Sequence, residues 1–331
     1  MGPPPSDTKQ MTMHTYLDFE RPIAELEGKI VELRKLAEAD PAMEIADDVA
    51  RLQAKADALI DETYAKLTPW QKTLVARHPA RPHFMDYVSH LIDEFTPLAG
   101  DRVFGEDRAL MAGLGRFRGR AVAVLGHEKG NDTKSRLTHN FGMAMPEGYR
   151  KAQRIFEMAN RFGLPVISFA DTQGAYPGVG GEERGQAEAI ARSTQASLNL
   201  GVPFIATIIG EGMSGGALGI AVANKVFMLE HSIYAVISPE GCASILWRSS
   251  DKAQDAAAAM KITAQDLLGL KIIDGIVPEP PGGAHRGPEH TINAVGEEIA
   301  RALNEMNGMS PDELRKQRRE KYLAMGRNLG A

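Results

Sequence analysis

The sequence predicts an α/β fold on a mainly parallel sheet, and three observations carry that expectation. Residues 121–125, 165–170 and 203–209 are short, continuous apolar runs, the pattern of strands buried on both faces. Helical stretches alternate with them, notably residues 149–162 and 182–199. Long glycine-rich turns follow the second and third runs. Residues 225–229 and 233–237 supply further strands, giving the order β-α-β-α-β-α-β with right-handed crossovers.

Taken in order, the chain opens on Met1-Gly2-Pro3-Pro4-Pro5-Ser6, which fits a myristoylation pattern on paper. Three successive prolines make residues 1–15 an expected extended, disordered tail instead. Ile23, Leu26, Ile30, Leu33 and Ala37 then lie on one helical stripe. Asp40-Pro41 breaks it, and Ile45, Val49, Leu52, Ala56 and Leu59 form a second stripe. The expected result is an antiparallel helical hairpin, which either closes on itself or reaches a partner subunit. A connector with Pro69, Pro79, Pro82 and Pro97 completes a region over 16–100, ahead of a main domain over 101–331. After Gly282-Gly283 the pattern returns to helix, with a cap at Ser310 to Glu313. The basic run of residues 315–319 reads as a solvated helix face.

Composition excludes several classes of function. Thirty-eight Lys and Arg against 43 Asp and Glu give a net charge of −5, which opposes binding driven by nucleic-acid phosphates. The single cysteine, Cys242, allows neither an intrachain disulfide nor a site of several cysteine ligands. No metal-binding histidine spacing and no P-loop motif is present. No apolar stretch approaches the roughly 18 residues of a membrane span, and the first fifteen residues lack a signal-peptide core. A cytoplasmic location is expected.

The 33 glycines exceed the usual share of about 7%, so their placement matters. One cluster is Asp171-Thr-Gln-Gly-Ala-Tyr-Pro-Gly-Val-Gly-Gly-Glu182, and another is Gly210-Glu-Gly-Met-Ser-Gly-Gly-Ala-Leu218. Both are strand–turn–helix arrangements at the carboxyl ends of strands, where α/β sheets bind ligands. Bare backbone approaches a ligand closely, and a helix start offers unpaired N–H groups. Two such turns facing each other aim amides at one developing oxyanion. Asp171 and Glu211 are acid/base candidates by position, or simply turn caps. Lys129, Lys134 and Arg136 follow the first strand and are expected mainly in solvent.

Gly212-Met-Ser214-Gly-Gly216 also fits the G-x-S-x-G elbow of serine hydrolases, which makes Ser214 the rival nucleophile. His231, His285 and His290 are the downstream histidines on which that alternative depends. Ala259-Met-Lys261-Ile262 imitates a biotin-attachment tetrapeptide, but an alanine-rich helix precedes it rather than a hairpin.

These motifs, with Glu183-Arg-Gly-Gln186, Ile237-Ser-Pro-Glu-Gly-Cys-Ala-Ser-Ile-Leu-Trp247, Ala76-Arg-His-Pro79, Phe141-Gly-Met143 and the segment 280–286, resemble the alpha subunits of bacterial acetyl-CoA carboxylase carboxyltransferases. Gln173 and Met213 depart from the pattern, standing where proline and glycine are expected. The resemblance implies a crotonase-like spiral of ββα units and transfer of a carboxyl group from carboxybiotin to acetyl-CoA, giving malonyl-CoA for fatty-acid synthesis. It implies a beta subunit in an α2β2 assembly, with zinc in that subunit only. It also implies a biotin carboxyl carrier protein that delivers carboxybiotin, and a biotin carboxylase. Within this picture Ala175, Tyr176, Gly216 and Ala217 donate amides to the oxyanion, and Gly174 and Gly215 let the backbone reach it. Pro177, Gly178 and Ser214 line the biotin side. Replacing Gly216 with valine is expected to abolish transfer and leave the fold intact.

Overall fold

The computed structural model describes residues 15–40 and 45–327. The predicted tail and its lipidation pattern therefore lie almost wholly outside the described residues, as does Pro41. The chain divides into two compact units between Thr63 and Tyr64. The first contains α1 (Arg21–Ala39) and most of α2 (Ala46–Ala65), at the two predicted stripes. Ile23, Ile30 and Ala56 are the stripe positions that become buried, and Ile60, off the predicted stripe, is buried as well. Arg34 donates to the Gln53 side chain across the pair at 3.5 Å.

The second unit begins with two short helices, α3 (Pro69–Ala76) and α4 (Phe84–Leu91), and continues into a sheet. Its strands are β1 (Asp93–Pro97), β2 (Leu110–Phe117), β3 (Arg120–His127), β4 (Val166–Thr172), β5 (Phe204–Met213), β6 (Lys225–Leu229), β7 (Ile233–Ala235) and β8 (Gly275–Val277). Helices α5 (Thr133–Thr138) and α6 (Pro146–Phe162) lie between β3 and β4, and α7 (Val179–Glu183) and α8 (Gln186–Leu198) between β4 and β5. α9 (Ser214–Ala221) links β5 to β6. Three helices, α10 (Pro239–Trp247), α11 (Ala253–Met260) and α12 (Ala264–Gly269), precede β8, and α13 (Pro288–Glu305) and α14 (Pro311–Ala324) follow it.

The strand order is β1-β2-β3-β4-β5-β6-β8, with β7 paired to the end of β5. β1, β2 and β3 are antiparallel, and β3 through β6 and β8 are parallel. Strands are laid down in chain order without a reversal, so each crossover advances the chain one position. That is a spiral rather than a doubly wound sheet with a switch point. β3, β4 and β5 alternate between two cores, as strands covered on both faces must. Leu125, Ala170, Phe204 and Ile208 pack with Tyr149 and Phe156 of α6. Val124, Phe169, Ile205 and Ile209 pack with Phe84 of α4 and Val295 and Ile299 of α13.

Three strands were not legible. β1 carries a proline, β2 carries Gly113 and Gly115, and β8 has three residues. The expected solvated run on α14 is corrected at Arg318, which is fully buried.

The histidines give the fold an acid limit. His127 is wholly enclosed, and burial pushes its pKa from the ordinary imidazole range down to about 3. His285 stacks on His78 with ring centroids 3.8 Å apart, and burial reinforced by the neighbouring charges lowers it to about 2. His231 is lowered by burial as well. Below pH 6.5 the unfolded chain therefore binds protons that the folded chain refuses, so stability falls with pH. Asp107, raised by burial to about 6, works in the opposite direction but is a single group. Denaturant titrations should show roughly 2–4 kcal/mol less stability at pH 5 than at pH 7.5. An equal or higher midpoint at pH 5 would contradict this account.

Candidate active site

The two glycine turns emerge from adjacent parallel strands and meet. The first runs from the end of β4 to α7, and the second is the junction of β5 and α9. A Cβ added to Gly216 would sit 2.7 Å from the Gly174 carbonyl carbon and 2.8 Å from the Ala175 nitrogen. Only a glycine permits that approach. Gly174 itself has φ +132°, a conformation that L side chains rarely adopt.

Each turn is fastened by side chains to which the sequence had given no role. Thr172 Oγ1 donates to the Gly174 carbonyl at 2.8 Å and accepts from its amide at 3.1 Å. Gln186 Nε2 donates to the carbonyls of Ala144 (2.8 Å) and Tyr176 (3.1 Å). On the second turn, three hydroxyls hold α9 by its carbonyls. Tyr149 donates to Gly216 (3.4 Å), Ser193 to Gly219 (2.6 Å) and Ser168 to Ile220 (2.6 Å).

The amides differ in what they have to offer. The Tyr176 N–H donates to Ala144 O at 2.9 Å, so it is occupied and does not serve an oxyanion. Met213 is the N-cap of α9, which makes Ala217 the first residue able to reach an i−4 carbonyl. Gly215 and Gly216 precede it and have no such partner within the helix. Ala175, half-exposed beside Gly216, donates to no group among the described residues. The donors that the geometry leaves are thus Ala175 with Gly216 and Gly215, at the positive end of the α9 dipole. Pro177 is exposed, Gly178 lies under the Tyr176 ring, and Gly174, Gly216 and Ala217 are buried.

Ser214 is exposed and has φ +54°, an elbow in geometry as well as in motif. No side chain among the described residues bonds its hydroxyl. His285 is stacked on His78, and His231 lies against Tyr64 and accepts no proton from Ser214. Among the described residues none of the three downstream histidines, His290 included, bonds Ser214, so the elbow lacks the base that a hydrolase requires. Instead, Ser214 stands on an apolar pocket of about 560 Å3, whose walls include Leu218, Tyr234, Ile237, Cys242 and Leu267. Met213, at the position where glycine was expected, is buried with Ala76, Ile233 and Ile262. Gln173 is exposed.

Asp171 and Glu211 come together under the turns, but not as free acids. Lys129 Nζ lies 2.7 Å from Asp171 Oδ1 and 2.9 Å from Glu211 Oε2. This corrects the expectation that Lys129 faces solvent, although Lys134 does. Burial alone raises the Asp171 carboxyl, yet Lys129 and His83 outweigh it and hold the group far below the carboxylate range. Burial likewise lowers the Lys129 ammonium, but the two carboxylates outweigh it and hold that group above its ordinary value. Asp171 and Lys129 are therefore fixed, opposite charges at neutral pH. Among the described residues no cluster of three or more His, Cys, Asp or Glu suits a metal ion. None of their helices is long and apolar enough to cross a membrane.

Comparison with known proteins places this architecture. Residues 16–326 match the family model described as acetyl co-enzyme A carboxylase carboxyltransferase-like. The chain is 64% identical to the acetyl-coenzyme A carboxylase carboxyl transferase subunit alpha of Parvibaculum lavamentivorans, over 95% of this chain and 99% of that protein. It is 65% identical to the subunit of the same name from Methylobacterium nodulans, over 96% and 100%. Among solved structures, transcarboxylase 12S aligns with TM-score 0.57 at 18% identity, over 70% of this chain and 42% of that one. A Pseudomonas malonate decarboxylase hetero-tetramer aligns with TM-score 0.54 at 18% identity, over 63% and 84%. These two likenesses speak to the fold, which is the expected crotonase-like spiral. With nearly its whole length matched, the chain belongs to the acetyl-CoA carboxylase carboxyltransferase-like family.

Proposed function

We propose that the meeting of the two glycine turns is an oxyanion site serving carboxyl transfer from carboxybiotin to acetyl-CoA, with malonyl-CoA as product. The chain is a carboxyltransferase subunit, and the reaction commits acetyl units to fatty-acid synthesis. One observation supports this reading above the others: Gly216 packs directly on the Gly174–Ala175 backbone. That contact sets the Ala175 amide beside the start of α9.

The chemistry calls for such donors. When the C–N bond of carboxybiotin breaks and CO2 leaves, negative charge collects on the ureido oxygen. That anion takes a methyl proton from acetyl-CoA, and the resulting carbanion bonds CO2. Charge develops on oxygen at both stages, so preoriented amides lower both barriers and no side-chain base is required. Ala175 and Gly216 donate to the ureido oxygen, with the Gly215 amide beside them at the start of α9, and Gly174 keeps the approach clear. The apolar pocket at Ser214 suits the ring system and aliphatic arm of biotin, with Pro177 and Gly178 on the side of the first turn. A beta subunit supplies the CoA side and a zinc motif in an α2β2 assembly, and a carrier protein charged by biotin carboxylase delivers the carboxyl group. A soluble, cytoplasmic setting and the division into residues 1–15, 16–100 and 101–331 complete the reading.

The test combines the purified chain with its partner subunit, carboxybiotin and acetyl-CoA. Malonyl-CoA should form, and its absence from the assembled pair would sink the proposal. Ser214→Ala should keep kcat within about threefold, since only an amide at this junction is asked to act. Loss of turnover in that variant, or labelling of Ser214 by a fluorophosphonate, would restore the hydrolase reading.

A further inference from the structure

Beneath the glycine turns lies a buried chain of charges that the oxyanion chemistry does not use. β4 and β5 run in register from Val166↔Phe204 to Ala170↔Ile208 and then slip, so that Thr172 pairs with Gly212. Between these points three residues of β5, Ile209 to Glu211, oppose Asp171 alone. Such a bulge re-aims side chains next to a functional site. Here it turns the Asp171 and Glu211 carboxylates toward each other, one residue before the first turn and three before Ser214. Asp171 Oδ1 also accepts the Glu211 amide at 3.0 Å. Gly210 makes room for it, since a Cβ there would meet Asp171 Oδ1 at 2.4 Å.

Two like charges at this separation repel, and the cations around them decide the geometry. Lys129 bridges the carboxylates with its side chain 13% exposed. Arg77 Nε holds the other oxygen of Glu211 at 2.6 Å, and its two terminal nitrogens hold Glu240 at the start of α10. His83 Nδ1 lies 3.4 Å from Asp171 Oδ2. Arg77 comes from the Ala76-Arg-His-Pro79 motif. Phe141-Gly142-Met143 contributes Gly142, where an added Cβ would strike Lys129 Cγ at 2.9 Å and Asp171 O at 2.8 Å. Both motifs marked the family in the sequence without an assigned task, and both converge on this cluster.

We propose that Lys129 is a positioning residue: by bridging the two strand-end carboxylates it holds the glycine turns at the separation where their amides converge. It touches no reactant in this role, and the inference rests on the oxyanion reading above. At their tips the turns meet through the backbone contact at Gly216, and at their base through the Thr172–Gly212 pairing and the charge cluster, so loosening a carboxylate at the base shifts one turn against the other. A displacement of about 1 Å at such a site costs on the order of 10²-fold in rate.

The experiment uses Lys129→Met, which keeps the length and removes the charge, and Lys129→Met/Glu211→Gln, which removes one charge of each sign. In the assembled enzyme the single variant should lose about 10²-fold in kcat, with the KM of each substrate changed by less than about threefold. The double variant should recover to within about tenfold of wild type. Amide exchange of the full chain supplies a readout independent of catalysis. In Lys129→Met, the hydrogen-bonded amides at and below the turns, those of Gly174, Tyr176 and Glu211, should exchange at least about tenfold faster, while β3 and the first half of β4 stay protected. Unchanged exchange and turnover in the single variant would overturn the proposal. So would a double variant as inactive as the single one, because Lys129 would then act on the reactants. Should the single variant not fold, the charge-matched double variant decides by the same two measurements. If wild type itself makes no malonyl-CoA, the oxyanion reading fails while amide exchange still tests Lys129.

Discussion

Gly216→Ala should lower kcat for malonyl-CoA formation by about 10²–10³-fold, the loss seen when an oxyanion-hole donor is removed. The added methyl carbon would lie 2.7–2.9 Å from Gly174 and Ala175 backbone atoms, which have no flexible end to swing aside. Relief requires the turns to separate, so the Ala175 and Gly216 amides cease to point at one place. Valine at this position exceeds the available space further and perturbs the packing of α9 as well, so alanine is the cleaner substitution. Gly215→Ala is the internal control. Its Cβ would meet only the Ile190 side chain, at 3.4 Å and 3.5 Å, an ordinary contact. That variant should retain kcat within a few-fold, with an unchanged thermal midpoint. Steady-state assays of the two variants beside wild type, each assembled with its partner, check both statements. Equal activity of Gly216→Ala and Gly215→Ala would remove the oxyanion role from this junction.

The contrast between those neighbours shows what a sequence carries. Glycine clustering after two apolar runs marks the turns, because strand burial and bare backbone both leave compositional traces. Which glycine bears the contact leaves none, since Gly215 and Gly216 differ only in what approaches them from β4. The amide inventory was equally hidden. Tyr176 loses its donor to Ala144, thirty-two positions earlier, through a contact that no local pattern encodes. Lys129 reads as a loop lysine until the bulge brings Asp171 and Glu211 beneath it. The four central parallel strands were visible because they are continuously apolar. β1 and β2 were not, since proline and glycine there obey the needs of an edge strand and of close packing against Phe95 and Ile92.

Arg318 is the residue for which the largest loss of stability is expected. It lies on α14 in a run of basic residues whose pattern is that of a wetted face, yet it is fully buried. Among the described residues no carboxylate pairs with it. Its Nη1 donates to the carbonyls of Leu198 (3.2 Å) and Leu200 (2.8 Å), and Nη2 to Val202 O (3.2 Å) and Asn224 Oδ1. Three of those acceptors belong to the segment that leads from α8 into β5, the strand that ends at the second glycine turn. Asn224 in turn accepts the Phe204 amide at 3.2 Å and donates to Leu314 O at 3.0 Å, so helix, connector and strand share one polar junction. Removing the guanidinium leaves the buried Leu200 and Val202 carbonyls without that donor, and no substitution can delete them. Each orphaned acceptor costs about 1–3 kcal/mol. Arg318→Met, which keeps most of the volume, should therefore destabilise the protein by about 2–4 kcal/mol, the cost of the two buried carbonyls that lose their donor. Arg318→Ala should lose somewhat more, because a cavity is added to the unpaired carbonyls. Chemical denaturation of the three proteins at pH 7.5 measures both differences. A methionine variant within 1 kcal/mol of wild type would mean that packing, and not hydrogen bonding, fastens α14 to the base of β5.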